Sequence, residues 1–345
     1  MTAARKLRER LARPGAVLVA GAHNGLSARL AERAGFDGIW ASGFEISASH
    51  AVPDANILTM ADNLDAARSI RRAVAIPVIC DCDNGYGNAI NVIHTVEEFE
   101  GAGVAGICIE DNIFPKRCSF YAGVRRELES VEEFAGKVRA AIKARSDSDF
   151  FVIARTEALI AGWGLEEAVR RARAYADAGA DAVLVHSKAT DWDELRRVGE
   201  RLERRVPLVA VPTIYKDTHA KDLDAAGFRI VIFANQGLRA AVKATREVFE
   251  TLVREMKPGA VEDKIVSLEA IYDLVGVSEM KRQEKDFLPA GGERVRAVIA
   301  AAGRDAQLGA LVDERPKCML DIKGRTLLER QVEALNDCNV RHIAV

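Results

Sequence analysis

The 345-residue chain contains no uninterrupted apolar stretch long enough to span a bilayer, which excludes a membrane-spanning helix. Nor does charge of either sign dominate, because 49 Lys and Arg against 51 Asp and Glu leave a net charge of −2. That balance argues against nucleic acid or a membrane surface as the main partner. The N-terminal MTAARKLRERLARPG is basic and patterned as an amphipathic helix, and it lacks the apolar run and small-residue cleavage site of a signal peptide. The 6 cysteines stand at 80, 82, 108, 118, 318 and 338, with no CxxC pair and no second Cys/His pair at zinc spacing. Beyond a strand–helix alternation there is no internal repeat, and no segment is of low complexity. These absences point to a soluble cytoplasmic protein with reduced thiols.

What is present is a large core. Hydrophobic residues make up 49% and charged residues 29%, and the length suits one barrel plus an appendage. Eight β-rich runs are predicted: AVLVAG (16–21), GIWASG (38–43), IPVICDCD (76–83), AGICIED (105–111), FFVIART (150–156), DAVLVHS (181–187), PLVAVPT (207–213) and RIVIFAN (229–235). Most are apolar throughout, as strands buried on both faces should be. Amphipathic segments such as TVEEFEGAGV (95–104) and LEEAVRRARAYADAGA (165–180) separate them, and AGA and AGV mark helix C-caps with a left-handed Gly. Eight βα units predict an α/β fold, the (β/α)8 or TIM barrel. From about residue 240 the pattern turns helical.

A barrel of this kind carries its chemistry at the C-terminal ends of its strands. Those ends supply Ser42-Gly43-Phe44, Asp81 with Asp83, Glu110-Asp111, Arg155 with Glu157, His186-Ser187, Thr213 and Asn235. Asp81, Asp83 and Glu110 form a carboxylate cluster that repels itself unless a cation joins it, and few all-oxygen ligands suit Mg²⁺. Arg155 offers a rigid donor fork for carboxylate or phosphate, with His186 as a second donor to the same anion. The backbone N–H groups around Gly43 can hold a developing oxyanion.

WASGFEIS (40–47), DCDNGYGN (81–88), IEDNIFPK (109–116), ARTEALIAG (154–162), VHSK (185–188), VPTIY (211–215) and IFANQGLRA (232–240) together resemble the phosphoenolpyruvate mutase branch of the isocitrate lyase superfamily. The resemblance runs from about residue 5 to 285 and implies a barrel with its last helices exchanged between subunits, usually as a dimer of dimers (a homotetramer). It implies Mg²⁺ bound with an α-keto acid or its enolate, held by Asp81 with Asp83 and Glu110 in its water shell. Ser42 and the Gly43 and Phe44 amides would hold the pyruvyl oxygens, with Trp40 alongside. Arg155 and His186 would contact phosphoryl or carboxylate groups. Asp54, in AVPDANILT, would lie near the reacting phosphoryl group, and IEDNIFPKRCSF would be a gating loop in which Lys116 and Ser119 close over substrate. The implied reaction interconverts phosphoenolpyruvate and 3-phosphonopyruvate, a step of phosphonate biosynthesis.

The gating stretch departs from the mutase pattern EDKxxxxxNS, with Asn112 in place of the Lys and Cys118 in place of the Asn. Its PKRC portion is similar to the C–C lyases of the superfamily, but Ser119-Phe120 replaces their Gly-His. Three roles stay open for Cys118: a donor to the phosphoryl group, a proton donor to the enolate, or packing. The alternatives to a mutase are therefore phosphonopyruvate hydrolase or a lyase of the isocitrate or methylisocitrate type.

Three segments are expected: the barrel over 1–285, a linker over 286–295, and 296–345. The last, RAVIAAAGRDAQLGALVDERPKCMLDIKGRTLLERQVEAL onward, resembles the start of a nucleotidyltransferase, a partial Rossmann-like fragment. Gly303 and Pro316-Lys317 fit that pattern. Asp305 and Gln307 replace the loop's second Gly and its Arg, which would disfavour a triphosphate, so no nucleotidyl transfer is expected. Joined to a mutase, such a domain would make chemical sense by activating the phosphonate product.

Overall fold

The N-terminal helix expected from the basic stretch is α1 (Ala3–Leu11), and it closes the bottom of a barrel. Its apolar side, Ala3 and Leu7, packs into the barrel interior with Val17, Val19 and Ile153. Its basic side anchors it: Arg8 Nη2 lies 2.9 Å from Asp181 and Arg10 Nε 2.7 Å from Asp37. The computed structural model describes all residues except 124–125, 289–295, 304–305, 313–314, 339 and 341. Most of the expected linker and Asp305 therefore lie outside the described residues.

Eight parallel strands close on themselves in chain order. They are β1 (Val17–Ala22), β2 (Gly38–Ala41), β3 (Val78–Asp81), β4 (Gly106–Glu110), β5 (Phe151–Thr156), β6 (Ala182–Val185), β7 (Leu208–Ala210) and β8 (Phe228–Phe233). Several stop short of the predicted runs, because the polar residues at their C-terminal ends bend into loops. Around them lie α2 (Gly25–Arg33), α3 (Gly43–Ser49), α4 (Met60–Ala73), α5 (Ala89–Gly101), α6 (Val131–Ala144), α7 (Gly164–Asp177), α8 (Asp193–Leu202), α9 (Ala220–Ala225) and α10 (Gln236–Glu255). One apolar layer fills the barrel and a second lies between strands and helices, which is why the strands are apolar on both faces. The expected left-handed caps are Gly103 (φ 77°) and Gly179 (φ 100°). The seam between β1 and β8 depends on Gly21, where a Cβ would fall 1.9 Å from the Ala234 carbonyl oxygen.

Contacts divide the chain into two units, Met1–Val266 and Ser267–Val345. The second contains α11 (Leu268–Val275), α12 (Val277–Phe287), β9 (Arg296–Val298), α13 (Leu327–Asp337) and β10 (His342–Ala344), with β9 and β10 paired in parallel. Among the described residues, no helix is long and apolar enough to cross a membrane.

Candidate active site

The rim of the barrel gathers polar side chains from successive strand ends. After β2, Ser42 caps α3 by accepting from the Glu45 N–H at 3.3 Å. That cap turns the chain sharply and leaves Gly43 against the acids. A Cβ there would lie 3.4 Å from both Asp81 Oδ2 and Asp83 Oδ1, in ordinary van der Waals contact, so this turn packs directly beside both acids. Asp81 ends β3. Asp83 follows in a left-handed conformation (φ 51°), as does Tyr86 (φ 58°), in a loop that turns both acids toward the mouth. Left-handed non-glycine residues are uncommon and cluster at functional sites.

Burial pushes the Asp83 carboxyl up to about 6, against the pull of Lys116 and with a further push from Asp81. Burial likewise pushes Glu110 up to about 7, although Arg155 and Lys116 draw it down. The cluster holds an internal cation. Lys116 Nζ is 2.6 Å from Asp83 Oδ1 and 3.0 Å from Asp54 Oδ1. Burial works against the ammonium, but Asp83 and Asp54 outweigh it and keep Lys116 charged.

Lys116 belongs to the stretch 109–123, which folds down over the mouth and joins the loop around Asp54. The Lys116 N–H donates to Asn56 Oδ1 at 2.6 Å, and the Cys118 N–H to the Asp54 carbonyl at 3.2 Å. Asp54 N–H in turn donates to the Tyr121 hydroxyl at 3.1 Å, and Asn56 Nδ2 to Asp83 Oδ2 at 2.9 Å. Asn112, the departure beside the acids, is buried and donates to Glu110 Oε1 at 2.8 Å. Cys118 lines the enclosed cavity, and burial pushes its thiol up, so it stays neutral at physiological pH.

The neighbouring wall is basic, since Arg155 on β5 is the register partner of Glu110 on β4. Arg155 Nε lies 2.7 Å from Glu157 Oε1 and 3.1 Å from Glu110 Oε2, and its Nη2 is 2.7 Å from Ser119 Oγ and 2.8 Å from His186 Nδ1. His186 Nδ1 lies between a group that only donates, Arg155 Nη2, and one that only accepts, Glu157 Oε1 at 3.0 Å, so its role follows the ring tautomer. The ring Nε2 is buried without a protein partner among the described residues, and burial together with Arg155 lowers the His186 pKa. Between the walls is a cavity of about 180 Å³, lined among others by Trp40, Phe44, Asp81 and His186. The expected residues Trp40, Ser42, Phe44, Asp54, Asp81, Glu110, Lys116, Cys118, Ser119, Arg155 and His186 all line it, while Gly43 and Asp83 adjoin it.

Sequence reasoning gave no role to Asn56, Asp111 or Glu157. Glu157 was within reach, since strand alternation puts it on the same face as Arg155. Asp111 points the other way and is fully buried. It accepts from Thr156 Oγ1 at 2.8 Å, Arg171 Nη1 at 2.9 Å, Tyr175 Oη at 2.7 Å and the Glu157 N–H at 2.9 Å.

A family profile described as phosphoenolpyruvate phosphomutase matches residues 7–253. The chain belongs to the phosphoenolpyruvate phosphomutase family. Its relatives within this family and superfamily include a phosphonopyruvate hydrolase from Variovorax sp. (strain Pal2), 49% identical over 268 residues that cover 77% of this chain and 92% of the relative. The crystal structure of a phosphoenolpyruvate phosphomutase from Streptomyces platensis subsp. rosaceus is 52% identical with a TM-score of 0.81, covering 83% of this chain and 99% of that one. A phosphonopyruvate hydrolase solved in complex with oxalate and Mg²⁺ is 46% identical with a TM-score of 0.79, covering 84% and 100%. The family match spans all eight barrel strands.

Proposed function

We propose that this chain is a phosphoenolpyruvate mutase, interconverting phosphoenolpyruvate and 3-phosphonopyruvate. The observation that carries the reading is the cavity itself: the acids Asp81 and Glu110 and the donors Arg155 and His186 line it together under a folded-down loop. A loose phosphoryl transition state needs positioning and charge stabilisation rather than a protein nucleophile. Exclusion of water by the loop favours return of the phosphoryl group to carbon.

The residues present fit Mg²⁺. Asp81 and its neighbours Asp83 and Glu110 are oxygen donors with buried, mutually repelling charges. Among the described residues no three His, Cys, Asp or Glu side chains converge as a dedicated cage; Mg²⁺ can be held through one or two carboxylates with water and substrate filling its other positions. Asp81 would hold it directly, with Asp83 and Glu110 in its water shell. Bound there, it would supply positive charge against the oxygens of the keto acid.

Ser42 and the Gly43 and Phe44 amides would orient the pyruvyl group beside Trp40. Arg155 and His186 would hold the phosphoryl oxygens, with Asp54 and Lys116 closing that end. The P–O bond breaks and its electron pair stays on oxygen as the enolate. C3 then attacks phosphorus with the enolate π pair, forming the P–C bond and restoring the carbonyl. Cys118 and Ser119 face the migrating group from the loop, the thiol as a neutral donor.

Phosphorus NMR of phosphonopyruvate with protein and Mg²⁺ tests this, with phosphoenolpyruvate as the expected product. A second reading, phosphonopyruvate hydrolase, is favoured by the 49%-identical Variovorax relative and by the Cys118 departure. Inorganic phosphate and pyruvate in that experiment would select it.

We further propose that helices after the barrel exchange between subunits of a dimer of dimers. Exposed Leu268, Tyr272 and Val275 on α11 and Met280 on α12 support this. For the segments 1–285, 286–295 and 296–345 we keep a barrel, a linker and a nucleotidyltransferase-like piece. The parallel β9–β10 pair with α13 between supports the last. A cytoplasmic setting suits the free thiols.

A further inference from the structure

Glu157 has no part in the chemistry above, yet both of its oxygens are engaged by groups that do. The side chain is fully buried. Oε1 lies 2.7 Å from Arg155 Nε and Nη2 and 3.0 Å from His186 Nδ1, and Oε2 accepts from Ser119 Oγ at 2.8 Å. Three separate elements, β5, the segment after β6 and the gating loop, therefore meet on one carboxylate. Arg155 and Ser119 donate to it, and removing such donors from water is costly unless they are paired, most strongly by an ionised acceptor.

The carboxylate is itself fixed from behind. The Glu157 N–H donates to Asp111 Oδ1 at 2.9 Å, and Asp111 is held by Arg171 and Tyr175 of α7. The backbone at Glu157 is thus pinned, through the residue that follows β4, to a buried network outside the cavity. On the cavity side, Glu157 occupies one edge of the Arg155 guanidinium. With that edge fixed, Nη2 is aimed at His186 Nδ1, and the His186 ring is held at the cavity lining.

Ser119 shares this arrangement, since its hydroxyl sits between Arg155 Nη2 at 2.7 Å and Glu157 Oε2 at 2.8 Å. The loop can make these bonds only when it is folded down. We infer that Glu157 is a positioning residue that latches the gating loop through Ser119 and in the same contact aligns Arg155 and His186. Loop closure and alignment of the anion-binding pair then become one event. The alignment half rests on the assignment of Arg155 and His186 to the phosphoryl group; the latch half does not.

The test uses the full-length protein with Mg²⁺ and oxalate and compares wild type, Glu157→Gln, Ser119→Ala and the double variant. Trypsin cleavage at Lys116 and Arg117, quantified by mass spectrometry, reads loop opening without needing turnover. Each single variant should raise cleavage by roughly tenfold or more, about the effect of losing one hydrogen bond to a charged group. The double variant should be no worse than the stronger single, because both remove the same contact. In steady state, kcat of Glu157→Gln should fall by roughly 10- to 100-fold with KM within about twofold, as for a group acting in alignment rather than in binding. Unchanged cleavage in both single variants, or effects that multiply in the double variant, would overturn the inference. If Glu157→Gln fails to fold, Ser119→Ala alone must show the raised cleavage, and wild-type protection there would overturn it equally. A hydrolase result by phosphorus NMR would leave the cleavage outcome untouched, so the two ideas fail separately.

Discussion

Lys116 and Asp83 form a buried ion pair, Nζ to Oδ1 at 2.6 Å, between the stretch 109–123 and the turn after β3. The ammonium also meets Asp54, so one lysine closes the acid wall of the cavity. Losing it leaves two buried carboxylates without their cation. Lys116→Met should lower stability by about 3 kcal/mol, the scale for breaking a buried pair. Turnover should fall by at least about 100-fold. Urea denaturation and phosphorus NMR measure the two effects, and a variant with wild-type stability would show that the pair is not formed in solution.

The raised carboxyls predict an unusual pH dependence for the metal-free protein. Asp83 at about 6 and Glu110 at about 7 hold protons in the folded state that the unfolded chain has already released. The folded state therefore binds more protons between about pH 4 and 7, and their contribution to stability falls as pH rises through that window. Glu157 acts in the opposite direction at lower pH. Burial raises its pKa, but Arg155 and His186 hold it below the usual carboxylate range, so its contribution is lost only as pH falls below about 4.5. Urea midpoints in EDTA should decline from pH 5 to 7, and Glu110→Gln should flatten the decline. A wild-type slope that Glu110→Gln leaves unaltered would count against a raised Glu110.

Asp81→Ala should abolish Mg²⁺-dependent turnover and weaken Mg²⁺-oxalate binding while the circular dichroism spectrum stays the same. Calorimetry with oxalate measures the binding directly. Near-normal affinity in this variant would move the metal to another carboxylate.

For Cys118 the neutral thiol makes two outcomes distinguishable. As a donor to the phosphoryl group, Cys118→Asn should keep or raise mutase turnover, and Cys118→Ala should lower it by roughly 10- to 100-fold, the scale of one lost donor. As a proton donor to the enolate, both variants should lose any cleavage activity and Asn should not restore it. A phosphorylated or pyruvylated Cys118 found by mass spectrometry would contradict both roles and establish a nucleophile.

Much of this was legible in the sequence. Eight apolar runs separated by amphipathic segments leave few architectures but a barrel, since strands apolar on both faces must be covered on both. Polar residues at the ends of those runs marked the rim, and Asp81, Glu110, Arg155 and His186 all line the cavity. Local chemistry fixes such features: the side-chain period, a left-handed glycine at a helix end, a serine cap after a strand. The sequence alone could not decide which charges neutralise one another. Lys116 meets Asp54 across 62 residues, and Asp111 meets Arg171 across 60, through closure of the barrel and folding of the loop. The same holds for the direction of Arg155. Its residue type announced an anion-binding fork, but only the tertiary arrangement placed Glu157, Ser119 and His186 around one edge of it. Pairing energy depends on distance and burial, and for residues so far apart in the chain both are properties of the packed fold.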